Sequence, residues 1–275
     1  MLRVGWFSTG RGEGSRGLLN FIQKQIVKGE LEAELQFVFS NRNRGEHAGS
    51  DTFQNLVNSL DLPLVTYSSS QFRQTTGSPL WRNRELYDRE IMSLLNDYQV
   101  DICVLAGYML IASGEMCRRY PLLNLHPALP TGPIGTWPEV IWNLLETRAS
   151  YTGAMIHLAT EEVDRGPVAS YFKIPITGGE FDQYWRFLGN QKISLIKNRE
   201  GESYPLFNMI RQAEYLREPY LLLETLKSFA NNELTIKELN VVNALGEPLV
   251  QSSPLGLCLT DKVESSLNHD RKGPS

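Results

Sequence analysis

The run Leu122-Leu123-Asn124-Leu125-His126-Pro127 places an amide and an imidazole two residues apart among leucines. In an extended strand alternate side chains leave the same face, so Asn124 and His126 project together. Polar side chains at the end of a buried strand need partners, and the carboxyl edge of a sheet offers a cleft. A lone His there is as often a satisfied core residue. Asn and His together, ahead of a proline-rich loop, favour a site. Such an imidazole calls for a carboxylate to orient or charge it. Asp164 stands in the turn-forming stretch Glu161-Glu162-Val163-Asp164-Arg165-Gly166. Glu161 and Glu162 are equally eligible by composition, and the 38 residues separating Asp164 from His126 do not choose among them. The candidate set is an Asn/His/Asp group without a metal.

A second stretch with chemical potential is Gly10-Arg11-Gly12-Glu13-Gly14-Ser15-Arg16-Gly17. Glycines allow positive φ and close backbone approach, and free N–H groups at a helix start attract anions. Gly12, Gly14 and Gly17 also satisfy G-x-G-x-x-G. A dinucleotide site would want an acidic residue about 20 positions further on. The next strand instead ends Phe39-Ser40-Asn41-Arg42. NAD is disfavoured, Arg42 keeps an NADP reading open, and a phosphate-binding loop is preferred to a plain tight turn.

The elements that must hold these residues follow from hydrophobic patterning. Strands are expected over 2–8, 35–40, 63–67, 101–106 and 122–126, with helices over 17–28, 48–60 and 85–98. The polar stretch 68–80 reads as a surface loop. Such alternation predicts a Rossmann-like, open, mostly parallel twisted sheet with helices on both faces. Beyond about residue 150 the pattern changes: strands over 152–158 and 168–176, helices over 206–217 and 220–230, a hairpin over 236–250, and a frayed polar end.

Composition bounds the partners. The 275 residues carry 27 basic and 31 acidic side chains, a net charge of −4. That argues against a nucleic-acid surface, which needs a basic excess, but not against a small phosphorylated ligand. Cys103, Cys117 and Cys258 form neither a disulfide framework nor a zinc pattern. The longest uncharged run, 102–114, is shorter than a membrane span, and the start lacks the apolar content of a signal peptide. A cytoplasmic chain without membrane or nucleic-acid partners is expected.

The segment Asn124-Leu125-His126-Pro127-Ala128-Leu129-Pro130 resembles the N-x-H-P-S-L-L-P signature of folate-dependent formyltransferases. Ser40-Asn41-Arg42, the stretch from Arg84 to Glu90, and Leu105-Ala106-Gly107-Tyr108-Met109 resemble further segments of that family in the same order. His157, the stretch from Glu162 to Pro167, and Glu214 with Pro219 continue the series. The resemblance spans residues 1–235, apart from an insertion near 181–201, and implies a catalytic domain there with a hairpin and tail over 236–275. It is nearest to the members that formylate glycinamide ribonucleotide in purine synthesis.

The resemblance implies transfer of a formyl group from 10-formyltetrahydrofolate, as co-substrate, to an amine. Asn124 and His126 would donate to the oxygen on which charge develops. Asp164 would hold His126 protonated and relay the departing proton. Gly12, Glu13, Gly14, Ser15 and Arg16 would receive the substrate phosphate, and Glu214 the ribose hydroxyls. Arg84 and the segment Met109-Leu110-Ile111 would border the folate. No metal is implied, and the expected assembly is a monomer or homodimer.

Three positions depart from the family pattern. Leu110 stands where an Arg is usual, the loop after His126 is altered through Pro133, and the phosphate loop has an extra Arg and Gly. The alternatives are a formyltransferase for another amine, such as an amino sugar nucleotide, a folate- or nucleotide-binding pseudoenzyme, and an NADP-dependent oxidoreductase. Formylation of initiator tRNA would want a basic surface and a fuller second domain. Hydrolysis of the formyl-folate would usually accompany an added N-terminal domain, where here the first strand is expected at residue 2.

Overall fold

A computed structural model describes residues 1–249 and 255–272. The chain runs β1 (Leu2–Ser8), α1 (Glu13–Val27), β2 (Ala33–Ser40), α2 (Ala48–Ser59), β3 (Leu64–Thr66), α3 (Ser69–Thr76), α4 (Arg84–Leu94), β4 (Ile102–Leu105), α5 (Gly114–Arg119), β5 (Leu122–His126) and α6 (Trp137–Glu146). It continues with β6 (Tyr151–Leu158), β7 (Val168–Pro175), α7 (Phe181–Leu188), α8 (Ile193–Arg199), α9 (Pro205–Tyr215) and α10 (Glu218–Ala230). Then follow β8 (Leu234–Lys237), β9 (Asn240–Asn243), β10 (Leu257–Cys258) and α11 (Thr260–Lys272). The main sheet has the order β10-β7-β6-β5-β4-β1-β2-β3, and β8 and β9 pair separately as an antiparallel hairpin. The expected mostly parallel open sheet is borne out. Two compact units divide the chain.

The first unit comprises residues 1–124, 158–167 and 226–248. Its strand β1 runs parallel to both β2 and β4, pairing Phe7 with Phe39 on one side and Leu105 on the other. Covered on both faces, β1 reads as a largely apolar run, interrupted by Arg3, with Val4, Trp6 and Phe7 buried. Phe7, Phe37, Phe39, Tyr87, Ile91, Tyr108 and Met116 form the core beside it. Because β4 is also parallel to β5, the chain leaves β1 and β4 at the same sheet edge, and Asn124 of β5 lies level with Leu105 there. The glycine-rich loop, the 106–113 segment and Asn124 are gathered there.

Of the described residues, the second unit comprises 125–157, 168–225, 249 and 255–272. Here β6 and β7 are antiparallel, and β10 extends β7 in parallel. Helices α6 and α9 pack through Trp142 and Phe207, whose rings lie 4.7 Å apart. Residues 181–201 contribute α7 and α8, and they bury Leu188 and Ile196 in this unit's core.

Four segments correct the sequence reading. The stretch 68–80 contains the helix α3: the Ser68 hydroxyl accepts from Gln71 N–H, Phe72 is buried, and Gly77 closes the helix at φ +62°. Helix α1 starts at Glu13, four residues early, with Gly12 as its N-cap. The polar end, as far as Lys272, is the helix α11 rather than frayed chain, because Val263 and Leu267 are buried one turn apart. Pairing of Arg217 with Glu264 holds it as well. The final hairpin lies at 234–243, earlier than expected, and Val250 falls outside the described residues.

Candidate active site

In the first unit the glycine-rich loop turns directly into α1. Gly10 needs its glycine: its φ is +68°, and a Cβ would lie 2.7 Å from the Phe53 side chain. Gly12 has extended backbone and caps α1 without a side chain. Glu13, Gly14, Ser15 and Arg16 therefore form the first helical turn, whose N–H groups have no acceptor within the helix. Gly12 and Glu13 are exposed, Gly14 and Arg16 half-buried, and Ser15 buried. Arg16 Nη1 reaches the Gly49 carbonyl at 3.5 Å. This arrangement can receive an anion by main-chain donors.

Asn124 Nδ2 donates to Asp164 Oδ1 at 3.4 Å. Asp164 has φ +55°, a left-handed conformation that Asp tolerates better than most residues. Its loop is anchored at both ends: Ala159 N–H donates to Leu122 O at 2.7 Å, and Leu158 N–H to Pro167 O at 2.9 Å. Glu161 pairs instead with Arg118 at 3.3 Å, and Glu162 is exposed. Of the three carboxylates left open by the sequence, Asp164 is the one joined to Asn124.

His126 lies two residues along β5, in the second unit, and is buried. Its Nε2 is 3.4 Å from Pro133 O, and its ring meets that of His157 edge-on, with centroids 6.4 Å apart. In the same unit, Glu214 of α9 is fully buried and accepts a hydrogen bond from Thr152 Oγ1 of β6. Arg211 Nη1 lies 3.8 Å from its Oε2, which has no hydrogen bond. Burial, reinforced by the nearby Glu218, pushes the Glu214 carboxyl up to about 8, against the pull of Thr152 and Arg211.

The residues expected to border a folate fall in the first unit. Arg84 opens α4, half-buried. Met109 and Ile111 are exposed, whereas Leu110 packs partly against the core. Sequence reasoning passed over Thr9 and Asp88. Both are buried, and both bond main-chain N–H groups of the 107–113 segment. Asp88 is polar on the apolar face of α4, which is a signal; Thr9 carries none beyond its place before Gly10. Among the described residues no group of three His, Cys, Asp or Glu is placed to hold a metal ion, and no helix is long and apolar enough to cross a membrane.

An open, mostly parallel sheet with an anion-type loop after its interior strand β1, and an amide–carboxylate pair at the same edge, is an α/β fold of the kind that receives ligands beyond its strand ends. Residues 12–183 match the family described as Formyl transferase, and the chain belongs to that family. Over 208 residues it is 27% identical to phosphoribosylglycinamide formyltransferase of Escherichia coli (strain K12), covering 72% of this chain and 81% of that one. The phosphoribosylglycinamide formyltransferase of Coxiella burnetii superposes with a TM-score of 0.65 at 19% identity, covering 94% of this chain and 99% of that one. Glycinamide ribonucleotide transformylase 1 from Symbiobacterium toebii gives 0.62 at 22% identity, covering 88% and 94%. At these identities the two structures establish the shared fold.

Proposed function

We propose that this chain transfers a formyl group from 10-formyltetrahydrofolate to the amine of glycinamide ribonucleotide, or to a closely similar amine. The observation that carries the reading is the hydrogen bond between Asn124 and Asp164, with His126 two residues further along the same strand. The amine nitrogen attacks the formyl carbon and charge builds on the formyl oxygen. The new N–C bond forms, the bond from carbon to folate N10 breaks, and the amine's proton passes to N10. Asn124 and His126 supply the donors to that oxygen. Asp164 is the carboxylate that fixes the Asn124 amide, charges the imidazole and relays the proton.

The first turn of α1, from Gly12 to Arg16, receives the substrate phosphate. Glu13 is the unfavourable member of that turn for an anion, and Ser15 the side-chain donor. Glu214 takes the ribose hydroxyls; its Oε2 has no hydrogen bond, as a buried atom awaiting a partner would. Arg84, Met109, Leu110 and Ile111 border the folate, the exposed Met109 and Ile111 offering apolar surface to its ring system. The chain works on small molecules, in the cytoplasm, as a monomer or homodimer and without a metal.

The test is turnover with 10-formyltetrahydrofolate and glycinamide ribonucleotide, followed by release of tetrahydrofolate. His126→Ala is expected to lower turnover by about 10²–10³ while leaving affinity for the ribonucleotide within a few-fold. Folate binding without turnover in the wild type would overturn the reading in favour of another amine or a binding protein.

A further inference from the structure

Thr9, the residue between β1 and Gly10, is used by none of the chemistry above. It is 1% exposed and bonded in three directions. Its N–H donates to Gly107 O at 3.0 Å. Its Oγ1 accepts from Met109 N–H at 2.9 Å, and its carbonyl accepts from Ser50 Oγ at 2.8 Å. Two of these bonds straddle Tyr108, whose buried ring packs on Phe7 and Phe39. The turn they enclose begins at Gly107, whose φ is +67° and whose Cα faces Ser15 so closely that a Cβ would lie 2.2 Å from Oγ. Further along, Ser113 N–H donates to the buried Asp88 at 2.6 Å.

The segment between these anchors holds Met109 at 71% and Ile111 at 51% exposure. Apolar side chains are thus displayed from a backbone fixed at both ends. A surface ordered before binding avoids the entropy of ordering it afterwards. Asp88 fixes the far end through the start of α5, whereas Thr9 bonds a residue of the displayed triplet itself.

We propose that Thr9 is a positioning residue for the folate site: its hydroxyl, through Met109 N–H, holds residues 109–111 in the shape that receives the ring system of a reduced folate. This rests on the folate reading given above. Thr9→Val keeps the shape of the side chain and removes the acceptor, whereas Thr9→Ser keeps the acceptor. A main-chain N–H stripped of its partner costs enough to weaken binding by about tenfold.

The experiment is calorimetric titration of the full chain with 5-formyltetrahydrofolate, alongside KM for glycinamide ribonucleotide. Thr9→Val should weaken the folate about tenfold and leave KM for the ribonucleotide within twofold; Thr9→Ser should match wild type. Equal folate affinity in wild type and Thr9→Val, or equal losses for both ligands, would overturn the proposal. Should Thr9→Val not fold, amide exchange in the wild type decides: a slowly exchanging Met109 N–H supports the anchor, and a rapidly exchanging one overturns it. A wild type that binds no folate sinks the co-substrate assignment instead, and exchange at Met109 then judges the anchor on its own.

Discussion

Asn124 and Asp164, 40 residues apart in the chain, meet through a 3.4 Å hydrogen bond from amide to carboxylate. The bond fixes how the Asn124 amide is turned: Nδ2, its donor end, faces the carboxylate. Asp164 reaches Asn124 from a backbone at φ +55°, between main-chain bonds that tie its loop to β5 and to itself. A residue in that region costs free energy that the surrounding bonds must offset.

Asp164→Asn separates the two contributions of this side chain. Asn adopts the left-handed region as readily as Asp and its oxygen can still accept from Asn124, so the loop should keep its shape. The charge is lost. The expected outcome is turnover reduced by about 10²–10⁴ with an unchanged thermal midpoint. Equal turnover in Asp164→Asn would show that the carboxylate is needed only as a loop residue. A large fall in thermal midpoint would show that the activity loss reports damage to the loop.

The legible parts of the molecule are those where local pattern and burial agree. Strand β5 is found at its expected bounds because Leu122 and Leu123 are buried among apolar neighbours and the polar residues alternate behind them. Helix α3 is masked by polar composition, although its capping Ser68 and closing Gly77 are ordinary helix signals. Helix α6 was hidden behind a run of Pro, Thr and Gly, yet Thr136 and Glu139 form a capping box with Pro138 beside it. The site divides in the same way. Asn124 and His126 are legible from alternation, whereas the choice of Asp164 over Glu161 depends on which carboxylate Arg118 takes. Thr9 bonds residues 98 and 100 positions away, and no local pattern encodes such a contact.

Glu13 offers a test of the anion loop. It occupies the first turn of α1, where a carboxylate complements the positive end of the helix dipole. An incoming phosphate would use the same field and meet the same negative charge. Glu13→Gln keeps the side-chain length and removes that repulsion. Affinity for glycinamide ribonucleotide should rise by about two- to fivefold at low ionic strength, and the gain should shrink as salt is added. Unchanged affinity at all salt concentrations would place the phosphate away from this turn.

Glu214 makes stability depend on pH in an unusual direction. Its carboxyl, fully buried between α9 and β6, is pushed from 4.5 up to about 8, first by burial and then by Glu218. Thr152 and Arg211 oppose the shift and do not cancel it. Between those two values the folded chain keeps a proton that the unfolded chain has released. Folding stability from this group is therefore full below 4.5, falls as pH rises through the window, and is lowest above about 8. Across the window the loss amounts to roughly a few kcal/mol. Glu214→Gln cannot titrate. Its amide nitrogen would face Arg211, a cost present at every pH, so the informative quantity is the slope rather than the absolute stability. Urea midpoints measured from pH 4.5 to 9 should fall more steeply for the wild type than for Glu214→Gln. Parallel profiles would mean that Glu214 is ionised in the folded protein, with Arg211 rather than a proton neutralising it.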